Sequence, residues 1–398
     1  MSGIYFHIPF CKQACHYCDF HFSTSLKYKE KFLAALKKEI KMKCSELQTP
    51  NFKVQTVYFG GGTPSLLTQK ELLGIFDELH NSFDIAGDAE ITIEANPDDL
   101  SEQKIRELKN TPINRLSIGV QSFFDADLKW MNRAHNAEQA VRSVQRAQDA
   151  GFHNISIDLI YGMPTLTNEK WQQNFEKAIS LNIQHLSAYC LTVESNTPLA
   201  QFIKTGKEKP INDERGAEQF EMLMDFMQEN GFSHYEISNF CRDGFYSKHN
   251  LGYWFDEHYL GFGPSAHSYN GIARQWNIAN NQLYIKALKN GELSFNEEIL
   301  SQTDKFNEYV MTSLRTMWGI DLEKTKSKFG EKIAEKCKKI AKKHQKEEFF
   351  HKIDKNKLIL TNKGKLFADQ ISSDFFIFDE KHDKNATFYK KMAKNQLI

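Results

Sequence analysis

The sequence has 398 residues, enough for one large core and a smaller appended domain. Lys plus Arg and Asp plus Glu both total 51, so net charge argues neither for nor against nucleic acid, while 31 Phe and a hydrophobic share of 40% exclude a disordered chain. No apolar run approaches the roughly 18–20 residues of a membrane span, and the N-terminus lacks a basic-then-apolar signal layout. We therefore expect a soluble, cytoplasmic protein that at most meets a membrane peripherally.

From the N-terminus to about residue 195, short apolar runs alternate with longer amphipathic stretches. The strand candidates are 4–10 (IYFHIPF), 54–60, 90–96, 114–122, 153–162 and 184–193; helical patterns cover 28–43, 68–81 and 137–151, the last closed by Gly151. Six βα units in a row imply a parallel sheet covered by helices, with catalytic groups at the C-terminal ends of the strands. Periodicity alone does not separate a barrel from a doubly wound sheet. Beyond residue 195 the rhythm changes: a helix over 212–230 leads into an aromatic- and Gly-rich stretch, and from about 300 the pattern is helical and Lys-rich. The segment 357–369 (KLILTNKGKLFAD) reads as a hairpin followed by a helix, and the lysines of 336–346 read as a solvated helix face. The expected domains are 1–230, an extension over 231–298, and a helix-rich, winged-helix-like domain over 299–398.

Seven Cys, an odd number with no secretion signal, argue for reduced thiols. Cys44, Cys190, Cys241 and Cys337 are scattered and read as structural. Cys11, Cys15 and Cys18 instead follow the first strand in FCKQACHYCDF with the spacing CxxxCxxC. Three thiolates on one loop can hold a 4Fe–4S cluster and leave one iron open. That iron can chelate the amino and carboxylate groups of S-adenosylmethionine (SAM), whose sulfonium C–S bond is then cleaved by an electron from the cluster. A zinc site, with His16 as fourth ligand, is the alternative. Gly60, Gly61, Gly62, Thr63 and Pro64 end the second strand, where glycines let backbone approach a ligand and strand-end carbonyls accept from an ammonium.

The Cys spacing, with Tyr17 just before the third Cys and the Gly segment one βα unit later, resembles the radical SAM superfamily. The resemblance implies a partial (β/α)6 barrel in which Gly61, Gly62 and Thr63 receive the SAM amino group. It also implies that Glu94 and Arg133 contact the methionyl part, that Gln121 and Asp158 sit near the ribose or adenine, and that Tyr5 and Tyr17 complete the pocket. The order IYFHIPFC, GGGTP, EANP, GVQSF, DLIYGMP, YEISNF, HNLGYW, GFGPSAHS resembles one branch over nearly the whole chain. This is the group of oxygen-independent coproporphyrinogen III dehydrogenase and the heme chaperone HemW.

Two features favour the chaperone side of that group. The chain starts almost directly at the first strand, with Phe20 where the dehydrogenase has a further Cys, and His249-Asn250-Leu251-Gly252-Tyr253-Trp254 matches an HNxxYW motif associated with heme binding. His249 and Tyr253 are four apart and would share a helix face; imidazole or phenolate can ligate heme iron, and Trp254 could stack on the macrocycle. The competing reading is a packing turn capped by Asn250. His267, Tyr235 and His258 read as structural residues before ligands. The expectation is a heme chaperone carrying a SAM-binding 4Fe–4S cluster and lacking coproporphyrinogen dehydrogenase activity. It would hand heme to hemoproteins such as membrane-bound respiratory enzymes, take electrons from a donor, and form a homodimer. The runner-up is the dehydrogenase itself, which abstracts hydrogen from two propionate side chains in porphyrin biosynthesis. A SAM enzyme acting on nucleic acid is disfavoured by the neutral charge balance and the absence of a clustered basic strand end.

Overall fold

The computed structural model describes residues 2–46, 53–351 and 356–378. In chain order the first elements are β1 Ser2–Ile8, α1 Lys29–Glu46, β2 Lys53–Gly61, α2 Gln69–Ser82, β3 Asp84–Ala95, α3 Glu102–Lys109 and β4 Arg115–Gln121. They continue with α4 Asp125–Trp130, α5 Ala137–Asp149, β5 Asn154–Tyr161, α6 Asn168–Ser180, β6 His185–Cys190 and α7 Pro198–Lys204. After these come α8 Asp213–Glu229, β7 Ser233–Glu236, β8 Asn239–Cys241, α9 Lys248–Trp254, β9 His258–Phe262, β10 His267–Tyr269, β11 Ala273–Asn277, α10 Asn281–Asn290 and β12 Phe295–Ile299. The helix starts follow local chemistry: α2 and α5 open on reciprocal capping boxes, Thr68 with Glu71 and Asn136 with Gln139. Gly151 closes the α5 connection with φ +83°, a conformation that costs glycine nothing.

The described chain forms two units. The described residues up to Ile211, with Ser247–Gly252 and Glu257–Ile299, make the first; Asn212–Tyr246, Tyr253–Asp256 and the described residues from Leu300 onward make the second. In the first unit β1 to β6 lie side by side in chain order, all parallel, with helices between them; β1 and β6 do not pair, so the α/β barrel is a partial (β/α)6 one. Ile4, Phe6 and Ile8 point to the helix side and are fully buried, whereas Gly3, Tyr5 and His7 alternate to the inner side.

On the other edge, β9 pairs in parallel with β1, and β10, β11 and β12 follow antiparallel. The segment expected as a separate extension is therefore divided between the two units. A buried polar network holds its β9–β11 part onto α1. Lys43 donates to the Gly261 carbonyl (2.7 Å) and pairs with Glu39 (2.9 Å), whose carboxylate also accepts from the Asn277 amide (2.6 Å), the Gly263 N–H (2.8 Å) and the Tyr284 hydroxyl (2.6 Å). A buried ion pair is tolerated only when its remaining hydrogen-bonding capacity is met in this way.

In the second unit α8 buries Phe220, Leu223, Met224 and Met227, β7 and β8 form an antiparallel pair, and helices Gln302–Leu314, Leu322–Phe329, Glu331–Gln345 and Ala368–Phe375 follow. The hairpin expected within 357–369 takes another form. Lys357–Leu358 pairs with Ile320–Asp321, well upstream in the sequence, and Asn362–Lys365 follows as a short helix. Gly319 makes this pairing feasible, because a Cβ there would overlap the Leu358 carbonyl. Among the described residues no helix is long and apolar enough to cross a membrane.

Candidate functional site

The loop after β1 is tied down on both sides of its three thiols. Cys11 N–H donates to the Ser23 carbonyl (3.0 Å) and Ser23 N–H to the Pro9 carbonyl (2.9 Å). Toward the end of α4, the Gln13 amide donates to the backbone carbonyl (3.0 Å) and side-chain oxygen (2.8 Å) of Asn132, and the Asn132 amide donates back to the Ala14 carbonyl (2.7 Å). Asn132 sits at φ +59°, a left-handed conformation that Asn tolerates better than most side chains. His16 turns to the Trp130 carbonyl, to which its Nδ1–H donates (2.9 Å), and its ring packs edge-on against Phe202 (5.0 Å). With His16 turned to that carbonyl, the donor set is three half-buried thiols on one pinned loop, which suits a multi-iron cluster. Burial pushes the Cys11 thiol up, and that of Cys18 up to about 11.

Later strand ends converge on this loop. The Thr63 hydroxyl donates toward Cys11 Sγ (3.5 Å) and accepts from the Asn96 amide (3.1 Å). Arg133 reaches Cys15 Sγ (3.4 Å) and the Tyr17 hydroxyl (3.5 Å) with Nη1, while Nη2 donates to Asn96 Oδ1 (2.6 Å) and the Gly119 carbonyl (3.0 Å). A Cβ on Gly119 would lie 3.0 Å from the Gln121 amide and 3.3 Å from Arg133, so these two side chains meet over that glycine. Gln121 itself holds φ +66°, and its buried Oε1, like the buried Arg133 Nε, has no hydrogen-bond partner among the described residues. The Gln121 amide and the Arg133 guanidinium thus each keep one buried polar atom open. Asn96 and Asn132 join these two groups to the loop; both lie in motifs read from the sequence, EANP and MNRAH, but their spacing carries no signal of that role.

The glycine triplet divides its work. A Cβ on Gly62 would come within 2.9 Å of the Ile8 carbonyl and of the Phe10 N and O, so the absence of a side chain here lets the Cys loop pass close over β2. Gly61, at φ +104°, lies against the His7 ring. Below them Glu94 accepts from the Tyr58 hydroxyl (2.9 Å), and burial raises its carboxyl to about 7. Asp158 accepts from Ser117 (3.3 Å) and is raised to about 6 by burial, with Ser187, Arg115 and Ser117 acting the other way. Tyr5 donates to His7 Nδ1 (3.3 Å) and stacks on Tyr58 (6.1 Å). Cys11, Cys15, Cys18, Thr63, Arg133 and Tyr17 are thus mutually linked, while Glu94 and Asp158 lie deeper on the inner face.

The HNxxYW motif forms α9, but the face shared by His249 and Tyr253 is not what sequence spacing implied. The Glu90 carboxylate accepts from the N–H groups of Lys248 (3.2 Å) and His249 (3.1 Å), drawing the start of α9 against β3. The His249 imidazole then lies inside the barrel, 3% exposed, at 2.8 Å from the Thr56 hydroxyl and stacked on Tyr58 (5.0 Å). Burial lowers its pKa to about 3. Tyr253, by contrast, is exposed, and Asn250 is half-buried. Within the second unit Trp254 lies under the Arg315 guanidinium (5.9 Å), and its buried indole N–H has no partner among the described residues. We therefore expect His249→Ala to lower folding stability by about 1–3 kcal/mol, through the loss of a buried hydrogen bond and the cavity left behind, as read from a denaturant titration. Its hemin affinity, measured on the folded fraction, should stay within about threefold of the parent.

The Radical SAM superfamily model matches residues 5–178, and the HemN C-terminal domain model matches residues 300–367. The heme chaperone HemW of Bacillus subtilis is 33% identical over 94% of this chain and 99% of its own length. That of Lactococcus lactis is 37% identical over 82% of this chain and 85% of its own. Among solved structures, the coproporphyrinogen III oxidase HemN of Escherichia coli, a radical SAM enzyme, superposes with a TM-score of 0.80 at 23% identity, over 94% of this chain and 89% of its own.

Proposed function

This chain belongs to the heme chaperone HemW family of the radical SAM superfamily, and we propose that it binds heme and passes it to hemoproteins while carrying a 4Fe–4S cluster and SAM. The observation that carries the chaperone reading is the match to chaperones over nearly their full length, at 33% identity, against a likeness of fold alone to the coproporphyrinogen oxidase. Cys11, Cys15 and Cys18 would hold the cluster. A cluster held there would supply the electron for reductive cleavage of a SAM sulfonium C–S bond. Arg133 offers the cation for the SAM carboxylate and Glu94 the anion for its ammonium, with Gly61, Gly62 and Thr63 supplying backbone and hydroxyl groups. Gln121 and Asp158 would accept from ribose or adenine, and Tyr5 and Tyr17 would wall the pocket. Exposed Tyr253, with Asn250 and Trp254 beside it in the motif, would contact heme; His249 serves as an internal strut. Recipients would be hemoproteins, membrane-bound respiratory enzymes among them, served by a cytoplasmic protein that is peripheral at the membrane, forms a homodimer and takes cluster electrons from a donor protein.

The test is a hemin titration of the anaerobically reconstituted protein, paired with an assay for coproporphyrinogen III conversion in the presence of SAM and a reductant. We expect a Soret band that saturates at one heme per chain and no protoporphyrinogen IX. Robust decarboxylation would overturn the chaperone reading in favour of the dehydrogenase.

A further inference from the structure

Withdrawal of His249 into the barrel leaves the heme iron of the proposed function without the imidazole that the motif promised. Most other described histidines are committed. His7 donates to the His21 carbonyl (2.7 Å) and accepts from Tyr5 (3.3 Å), His21 donates to Asn281 (2.7 Å), and His135 bonds the Val120 carbonyl (2.9 Å). His185 bonds Ser156 (2.7 Å), His234 the Ile237 carbonyl (3.1 Å), and His344 Asp374 (2.8 Å). His267, like His80, His153, His258 and His351, is exposed and its ring makes no hydrogen bond among the described residues; of these it is the one that faces the inside of the sheet beside the Cys loop.

Register fixes which way it faces. Directly paired residues share a face of a sheet, and residues two apart along a strand return to it. Tyr5 pairs with Gly261 and Gly3 with Tyr259; Tyr259 pairs with Tyr269; His267 pairs with Trp276 and Tyr269 with Arg274. His267, Tyr269, Arg274 and Trp276 therefore all stand on the inner face, the one that carries Tyr5, His7 and, across β2, Tyr58. The opposite face, with Ala273 and Asn277, is the one buried on α1. Because β10 runs antiparallel to β9, His267 lies beside Gly261, toward the end of β1 from which the Cys loop departs; the backbone there is so close that a Cβ on Gly261 would overlap the His267 carbonyl. The His267 ring stacks on Trp276 (6.1 Å, 24° between planes).

An open imidazole, an indole stacked beside it and, two residues from that indole along β11, a guanidinium form a donor set for a macrocycle that carries a metal and carboxylate arms. Partial burial and Arg274 hold the His267 pKa below its usual value, which favours the neutral, ligating form.

We propose that His267 on β10 is the axial ligand of the bound heme, with Trp276 stacked on the imidazole and fixing its plane and Arg274 facing a propionate; this rests on the heme-binding reading above. The experiment is a hemin titration of the full-length wild type, His267→Ala, His267→Gln and His267→Gly, each with thermal unfolding recorded. Since the side chain is exposed, unfolding midpoints should match the wild type, and the Gln variant keeps size and polarity as a guard against a local folding defect. We expect at least a tenfold loss of affinity and a displaced Soret maximum in all three, with added imidazole restoring the wild-type band in His267→Gly. If the wild type binds heme and the folded variants keep its band and affinity, the ligand assignment falls while the chaperone reading stands. If the wild type itself takes up no heme, both fall.

Discussion

Replacing Cys11, Cys15 and Cys18 together by Ala is expected to abolish the 4Fe–4S absorbance of reconstituted protein, and each single replacement to remove most of it. Only three thiolates are available on the loop, so each variant takes away one-third of the protein's hold on the cluster, and the scattered thiols cannot stand in. Cys44 donates to the Ser82 carbonyl (2.7 Å) on the helix side, and Cys337 is buried in the second unit with its pKa pushed up to about 12. Cys44→Ala and Cys337→Ala should accordingly retain wild-type iron and sulfide. The loop itself should survive the triple change, because its ties run through Gln13, Ala14 and the backbone of Cys11. Assembly should also depend on pH in a fixed direction. Burial raises the Cys11 and Cys18 pKa values, so the thiols are protonated near neutrality and must release protons to bind iron. Cluster occupancy at limiting iron should rise with pH. Stoichiometric iron and sulfide in the triple variant would defeat the cluster assignment.

Much of the barrel was legible because its two periods are clean. The runs expected at 54–60, 114–122 and 153–162 correspond to Lys53–Gly61, Arg115–Gln121 and Asn154–Tyr161, and the helix expected over 68–81 to Gln69–Ser82. Each is a β-branched or amphipathic stretch closed by Gly, Asn or a capping Thr, where local preference and burial agree. The sheet extension was not legible as strands. His267–Tyr269 and Ala273–Asn277 are three and five residues long and carry His, Ser, Arg and Gln; the second is held by Glu39 of α1, 238 positions from Asn277 in sequence. The same limit explains His249. A spacing of four places two residues on one side of a helix but does not say which side is buried, and the Glu90 carboxylate that decides it lies 159 positions upstream of His249. Thr56 and Glu90 were invisible for that reason, as was Asn96, which bridges Thr63 and Arg133.

The deeper acid of the site makes the last prediction. Glu94 is buried on the inner face with the Tyr58 hydroxyl as its donor, and its carboxyl titrates near 7, chiefly because burial disfavours the charged form. An ammonium brought beside it favours the ionised form, so SAM binding should expel a proton from Glu94 wherever the free protein still holds one. Above about pH 7 affinity should be at its plateau, and below it should fall by up to tenfold per unit as a proton must be displaced, with Asp158, raised to about 6, adding to the fall at lower pH. Stability without SAM runs the same way. A carboxyl whose folded pKa lies above its unfolded one makes the folded state hold the proton longer, so this group's contribution to stability is greatest below about pH 4.5 and is lost as pH rises through about 7. SAM should therefore raise the unfolding midpoint more at pH 8 than at pH 6. Glu94→Gln keeps the size and a carbonyl oxygen for Tyr58 but deletes the charge. Losing a charge-assisted hydrogen bond of about 1.5–3 kcal/mol should weaken SAM binding roughly ten- to a hundredfold at high pH and flatten its pH dependence near 7. Calorimetric titration of SAM between roughly pH 6 and 8.5 reads both quantities. A variant with the parent's affinity and the parent's pH slope would take Glu94 out of the SAM site and leave the cluster assignment untouched.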